Sequence, residues 1–247
     1  MKKVALPLLV WLGLWWGLAA YMGQPLLLPT PWQVLERLGT LAATGTFWAT
    51  CLTTLGRVFL GGGAGIVLGV ALAALCARFD GCAAVFAPAV KVIRATPVAS
   101  FIILVWLWTG AVWVPVVIAA LMAVPIAWSA TWQGLGEVDP KLTELAAVYR
   151  FSKGKTLKLV YLPAMANALA GGVRSALGFA WKAGVAAEAL CRPQVAMGTA
   201  IWNAKTYLET PDLFAWTAAV VLLSVAVEKL LWGLWTLWEG RVRRGAS

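Results

Sequence analysis

Apolar residues run along this chain in six long stretches, separated by segments rich in glycine, proline and charge. The stretches cover residues 4–22, 52–77, 90–109, 112–132, 163–190 and 213–238. In lipid a helix satisfies its own backbone hydrogen bonds, and about 20 helical residues cross a bilayer. The pattern predicts an all-α integral membrane protein with about six transmembrane helices in one domain, residues 1–247. The third stretch reaches full length only if it starts near Val90 and includes Arg94 and Pro97.

Composition supports a membrane protein and excludes several kinds of chemistry. Of the 247 residues, 62% are hydrophobic and 12% are charged, and the mean hydropathy is +0.82. Histidine is absent, which removes the commonest general base and metal ligand. We therefore expect no catalytic residue and no metal site. The four cysteines form no C-x-x-C pair and are expected to be packing residues.

The basic residues predict how the chain lies in the membrane. With the N-terminus inside, thirteen of the twenty Lys and Arg fall on the inner side, among them Lys2, Lys3, Arg241, Arg243 and Arg244. Three fall on the outer side, namely Arg37, Arg192 and Lys205. By the positive-inside rule both termini are cytoplasmic. Because the charge is spread over several loops and forms no single stripe, we expect no nucleic-acid partner.

Glycines at helical spacing predict close helix packing. Gly61, Gly65 and Gly69 recur every four residues in the second stretch. Small residues let membrane helices approach each other closely. A second set in the fifth stretch predicts the same, namely Gly171, Gly172, Gly178 and Gly184.

The loop at residues 137–163 is longer than a helix connection needs. Asp139-Pro140 is a favourable helix start, because Asp caps free N–H groups and Pro suits the first helical position. An apolar face follows at spacings of three and four, formed by Leu142, Leu145, Ala146 and Tyr149. Polar residues flank it, namely Lys141, Glu144 and Arg150. Such a helix either lies on lipid headgroups or docks in a groove of another protein.

This loop resembles the coupling loop of the permease subunits of bacterial ABC importers. That pattern is E-A-A, a glycine four residues later, and an apolar residue with L-P about thirteen residues beyond. Here it appears as Glu144-Leu145-Ala146, Arg150 and Val160-Tyr161-Leu162-Pro163. Leu145 replaces the first alanine, and Arg150 replaces the glycine that ends the first short helix.

The resemblance extends from about residue 28 to residue 244, including the segments LPTPWQVLERL, LTTLGRVFLGGGAGIVLGV, IRATPVASF and GGVRSALGFAWKAGVAAEAL. These are similar to the nitrate, sulfonate, taurine, bicarbonate and thiamine-precursor branch of the permeases. The resemblance implies a type I importer permease fold, paired with a second copy around a central path in the bacterial inner membrane. It also implies two ATPase subunits and an external binding protein that delivers the solute.

ATPase contacts follow from the same resemblance. They would lie on the helix at 139–150, at Asp139, Leu142, Glu144, Leu145, Ala146, Tyr149 and Arg150. Lys153-Gly154-Lys155-Thr156 looks like the end of a P-loop, but the required glycine is replaced by Tyr149. We therefore expect a partner chain to bind and hydrolyse ATP, so that this subunit is not an enzyme and holds no cofactor. A stand-alone secondary transporter or channel is the alternative.

Ionisable residues at membrane depth are costly and are candidate functional groups. Lys182 and Glu188 lie in the fifth stretch, with Arg174 on nearly the same face as Lys182. Three interpretations stay open: a path for a small solute, with an anion favoured by Lys182; an ion pair between helices or between subunits; or snorkelling of Glu188 near the outer end of its helix. Trp106 and Trp108 are further candidates for the path. Arg57 and Arg94, near predicted helix ends, are expected to anchor to headgroups or helix ends.

Overall fold

The computed structural model describes residues 2–79 and 81–244, and within them the chain forms helices and no strand. The helices are α1 (Lys2–Met22), α2 (Pro31–Ala42), α3 (Gly45–Arg78), α4 (Cys82–Ala95), α5 (Val98–Trp108), α6 (Val114–Gly136), α7 (Pro140–Val148), α8 (Lys153–Thr156), α9 (Leu162–Cys191), α10 (Met197–Thr206) and α11 (Thr210–Arg244). A π-helical turn, Leu157–Tyr161, joins α8 to α9. The all-α prediction is confirmed. The two ends of the predicted domain, Met1 and residues 245–247, lie outside the described residues, as do the side chains of Lys2, Lys3, Arg241, Arg243 and Arg244.

Among the described residues, three helices are each long and apolar enough to cross a membrane: α3, α6 and the Thr210–Gly233 part of α11. The pair α4 and α5 gives a fourth candidate if it counts as one broken span. Helix α9 coincides with the predicted fifth stretch, and α1 carries a shorter apolar segment, Leu6–Met22. The count of six spans stays a prediction.

The centre of the bundle is α3 packed on α6, with α9 against both. Gly61, Gly65 and Gly69 lie on the face of α3 that meets α6. The atoms nearest to a Cβ built at these glycines are the carbonyl oxygens of Val116, Ala120 and Val124 respectively, all too close for a real Cβ. The predicted glycine seam is therefore confirmed, because only glycine allows the two backbones this approach.

The four glycines of the second set, all in α9, differ in how closely other helices approach them. A Cβ on Gly172 would collide with Ala130 of α6, and one on Gly184 would lie 2.7 Å from a methyl carbon of Val58 in α3. Gly171 and Gly178 meet nothing within 4 Å. Close packing is therefore confirmed for two of the four glycines and is wrong, within this chain, for the other two.

A single helix over residues 90–109 is wrong. The structure places two helices there, α4 and α5, with a bend of 107° between them. The break falls at Thr96, which has extended backbone angles (φ −82°, ψ 132°), immediately before Pro97. Proline disfavours helical geometry in the residue before it and has no N–H to donate. The apolar stretch therefore turns sharply instead of running straight.

Two short helices occupy segments that the hydropathy pattern left as loops. In α2 the backbone N–H of Thr30 donates to the Gln33 side chain (2.9 Å) and the Gln33 N–H donates to the Thr30 hydroxyl (3.3 Å). This capping box starts α2, which is tied to α11 by the ion pair of Arg37 with Asp212. The second short helix, α10, follows α9 and packs on both α9 and α11.

Candidate functional site

The predicted helix in the long loop is present as α7. Its N-cap is Asp139, whose carboxylate accepts a hydrogen bond from the Lys141 N–H at 2.9 Å, and Pro140 occupies the first turn. Helix α7 lies between the end of α6 at Gly136 and the segment that leads into α9. Any force on α7 would therefore act on two of the three central helices.

Helix α7 exposes an apolar surface. Leu142, Leu145 and Tyr149 are 44%, 50% and 69% exposed. Val148, which is not part of the predicted apolar face, is 78% exposed. Glu144 is also exposed. Contiguous exposed apolar side chains mark sites of contact with another protein or a membrane. We call Leu142, Leu145, Val148 and Tyr149 the α7 surface.

Ala146 does not belong to the α7 surface. This residue is only 4% exposed. Helix α7 packs against the π-helical turn. The sequence placed it on the docking face because it shares the spacing of Leu142 and Leu145. The helix is rotated so that this small side chain faces its own chain, where close packing favours alanine.

Arg150 ends α7 in the conformation usually adopted by glycine. Its φ is 49°, in the left-handed region. The Phe151 N–H donates to the Ala146 carbonyl at 2.9 Å, and the Arg150 N–H donates to the Ala147 carbonyl at 3.0 Å. These two bonds form a Schellman turn, in which the left-handed residue is most often glycine. The chain therefore keeps the sharp turn despite the replacement of glycine by arginine.

Glycine at position 150 should stabilise this turn. The left-handed conformation costs an L-residue about 1–2 kcal/mol, and the greater chain entropy of glycine offsets about half of that. We expect Arg150→Gly to slow amide exchange at residues 150 and 151 by about threefold, measured by hydrogen exchange on the detergent-solubilised protein. Arg94→Gly, inside α4, should speed local exchange instead. Faster exchange at the turn in Arg150→Gly would contradict this account.

Glu188 lies at the centre of a buried polar cluster between α3, α9 and α10. Its side chain is 0% exposed and pairs with the Arg57 guanidinium at 3.0 Å. The Thr54 hydroxyl donates to the same carboxylate at 2.9 Å, and the Gly198 N–H donates at 3.3 Å. These contacts favour the ion pair between helices over a place for Glu188 on an open path. The expected anchoring of Arg57 to headgroups is wrong, because its side chain turns inward to this pair.

Lys182 lies elsewhere on α9, on a groove between α9 and α11 with a volume of about 320 Å³. Arg174, Ser175, Ser224 and Glu228 share this groove. Arg174 pairs with Glu228, whereas Lys182 is exposed, pairs with no carboxylate among the described residues, and has its ammonium 5.9 Å from the Phe179 ring centre. Lys182 and Arg174 therefore do share one polar surface. Trp106 and Trp108 lie on α5, away from the groove lining, and are 43% and 80% exposed.

An apolar helical bundle of this kind is typical of a membrane protein, and its exposed loop helix offers a surface to lipid headgroups or to a second protein. Comparison with known proteins narrows this class. Residues 65–243 match the family described as the inner membrane component of binding-protein-dependent transport systems. The match covers most of the chain, which belongs to this family.

Individual relatives agree with this family assignment. The chain is 27% identical to the taurine transport system permease protein of Escherichia coli (strain K12), over 96% of this chain and 89% of that protein. It is 29% identical to a probable ABC transporter permease protein of Brucella melitensis, over 87% of each chain. It is also 29% identical to a putative aliphatic sulfonates transport permease protein of Bacillus subtilis, over 76% of this chain and 68% of that one.

The chain is therefore a membrane permease subunit of an ABC importer. The family assignment decides against the stand-alone transporter or channel that the sequence left as the alternative. Its family is one of transport permease subunits, which is consistent with a chain that is not itself an enzyme.

Proposed function

We propose that two copies of this chain form the path of an importer driven by two ATPase subunits and supplied by an external binding protein. The α7 surface carries this proposal. Three large aliphatic side chains stand exposed on a helix of nine residues, and an exposed tyrosine follows directly at its C-cap. An amphipathic helix presents this kind of surface to a groove on a partner. ATP binds and is hydrolysed on the partner, and Asp139, Glu144 and Arg150 border the contact.

Coupling follows from the position of α7. Gly134 of α6 meets Met165 and Ala168 of α9, so the helices on either side of the loop are packed together. When two ATPases close around ATP, a displacement of α7 moves α6 and α9 as one unit. Rigid-body movement of packed helices is a common way of alternating between two states.

We propose the membrane orientation that the distribution of Lys and Arg residues predicts. The α7 loop faces the cytoplasm, together with both termini. The connector between α9 and α11, residues 192–209, carries α10 and faces outward. In a bacterium this places the chain in the inner membrane, with the binding protein on the outer side.

The solute path is proposed to follow the groove that carries Lys182. An ammonium at membrane depth needs water, a carboxylate or a bound anion as its partner. With Arg174 occupied by Glu228, water or a small anionic solute fills that role at Lys182. Trp106 and Trp108 lie outside this groove, so we keep them as candidates for a different part of the path, and we assign Glu188 to the bundle itself.

Aspartate at position 145 should separate the ATPase from the permease. Leu145 is half exposed at the centre of the α7 surface, and a charge there would have to be desolvated on docking. We expect Leu145→Asp to reduce the ATPase retained on the affinity-tagged permease by at least about tenfold, with the permease still inserted in the membrane. The measurement is co-purification from cells that express the complete transporter.

Leu159→Asp is the matched control. Leu159 is in the same loop and is 53% exposed, but it lies in the π-helical turn and not on α7. It should retain most of the ATPase. Normal retention by Leu145→Asp would rule out α7 as the docking helix and favour a position on lipid headgroups.

A further inference from the structure

Helix α10 begins without a cap of its own. Its N-cap residue, Ala196, has no side chain that can accept a hydrogen bond. The Met197 N–H instead donates to the Thr54 hydroxyl at 3.0 Å, and the Gly198 N–H donates to the Glu188 carboxylate at 3.3 Å. Both acceptors come from other helices. A carboxylate at this end of a helix is also favoured by the helix dipole, so Glu188 and Thr54 cap α10 from outside.

The segment before α10 is held by the same cluster. The Arg57 guanidinium nitrogen that pairs with Glu188 also donates to the Val195 carbonyl at 2.7 Å. The Thr199 hydroxyl donates to the Pro193 carbonyl at 2.7 Å. Residues 193–199 are therefore attached to α3 and α9 through side-chain hydrogen bonds and not only through apolar contact.

The fit between α10 and α9 leaves no room for adjustment. A Cβ on Gly198 would lie 2.5 Å from the Val185 carbonyl oxygen and 2.6 Å from Cβ of Glu188. The start of α10 thus rests directly on the backbone of α9. This direct contact, together with the hydrogen bonds to Thr54 and Glu188, ties the position of α10 to that of α9.

Joining α3 to α9 through a buried carboxylate costs desolvation free energy. Those helices already meet where Val58 contacts Gly184, and apolar residues of similar size can replace a buried ion pair without loss of stability. An apolar residue at position 188, however, could not accept the α10 N–H. The connector therefore explains why position 188 carries a side chain that can accept a hydrogen bond.

We infer that Glu188 is a positioning residue, which acts through Thr54 and Arg57 to fix α10 and its connector to the central helices. Resting on the proposed function, the inference adds a role: the connector faces the external binding protein, and its attachment carries the effect of docking to α3 and α9. The moving unit then extends from α7 at one end of the bundle to α10 at the other.

Thr54→Val tests this inference with little change in volume. The variant removes the acceptor of the Met197 N–H and one donor to Glu188, but keeps the Arg57 pair. We expect amide exchange in residues 193–206 to be about tenfold faster, with exchange in the centres of α3 and α9 unchanged. In the complete transporter we expect the binding protein encoded with it to stimulate ATP hydrolysis at least about threefold less, with basal hydrolysis unchanged.

Thr131→Val is the control, because Thr131 is equally buried but its hydroxyl donates only within α6, to Ala127. It should leave both measurements unchanged. The inference is overturned if Thr54→Val leaves exchange in 193–206 unchanged, if exchange rises equally across α3 and α9, or if stimulation by the binding protein is normal.

Glu188→Gln provides a second variant, since the amide oxygen can still accept from the Gly198 N–H. It should disturb exchange in 193–206 less than Glu188→Leu does, and equal disturbance by the two would overturn the capping role. If the unmodified transporter shows no stimulation by the binding protein, the proposed function fails. The exchange measurements need no binding protein and would still decide whether Glu188 positions α10.

Discussion

Valine in place of Gly65 is expected to prevent the protein from reaching its folded state. A Cβ at this position would overlap the Ala120 carbonyl oxygen and lie 2.8 Å from the Ala120 Cα and the Ala123 Cβ. Overpacking usually costs about 1–3 kcal/mol when neighbouring side chains can move. Here the neighbour is the backbone of α6, so α3 and α6 must separate along the main interface of the bundle. We expect a loss of more than about 3 kcal/mol, seen as a collapse in the yield of monodisperse protein after detergent extraction.

Gly63→Val is the matched control for this substitution. Gly63 lies in the same helix, but a Cβ there meets nothing within 4 Å. The same change in helix propensity and hydrophobicity should therefore leave yield and melting temperature nearly unaltered. Comparable damage from both variants would mean that the α3–α6 contact is not what makes position 65 sensitive.

Arg57→Met is the second substitution with a large expected effect. The Arg57 side chain is 13% exposed, and its partner Glu188 is 0% exposed. Removing the guanidinium leaves a buried carboxylate without its counter-charge, which costs about 3–5 kcal/mol. The variant should unfold at a clearly lower temperature, or at a lower concentration of a denaturing detergent, than the unmodified protein.

Arg94→Met separates loss of this pair from loss of any arginine. Arg94 is exposed and makes no ion pair among the described residues, so its replacement should change stability by less than about 0.5 kcal/mol. Adding Glu188→Gln to Arg57→Met should restore part of the stability, because the buried charge is then gone. An Arg57→Met protein as stable as the Arg94→Met protein would be inconsistent with a buried pair.

Several features of the fold could be predicted because short-range rules decide them. The start of α7 follows from Asp139 and Pro140 alone. The packing face of α3 follows from the spacing of Gly61, Gly65 and Gly69, although the identity of its partner, α6, does not. Helix α2 carried an equally local signal, since Thr30 and Gln33 form a capping box directly before a proline. The hydropathy pattern does not indicate α2, because this helix is too short and too polar to cross a membrane.

Other features have a local signal whose consequence the sequence alone does not fix. Pro97 lies within the third stretch, where a full-length span predicts a straight helix, but the structure has a bend of 107° there. In α7 the spacing of apolar residues fits rotations that expose either Ala146 or Val148. Contact with the π-helical turn, which no periodicity reveals, decides between them.

Residence in a membrane, the helical class, the capped helix in the long loop and the glycine seam all follow from the order of residues. Each depends on hydropathy, spacing or capping within one segment, and these are free-energy terms of near neighbours in the chain. The pairing of Arg57 with Glu188, 131 residues apart, the capping of α10 by other helices, and the groove that holds Lys182 depend on how far each helix is rotated and inserted. Those variables are set by many weak contacts acting together, so only the assembled bundle fixes them.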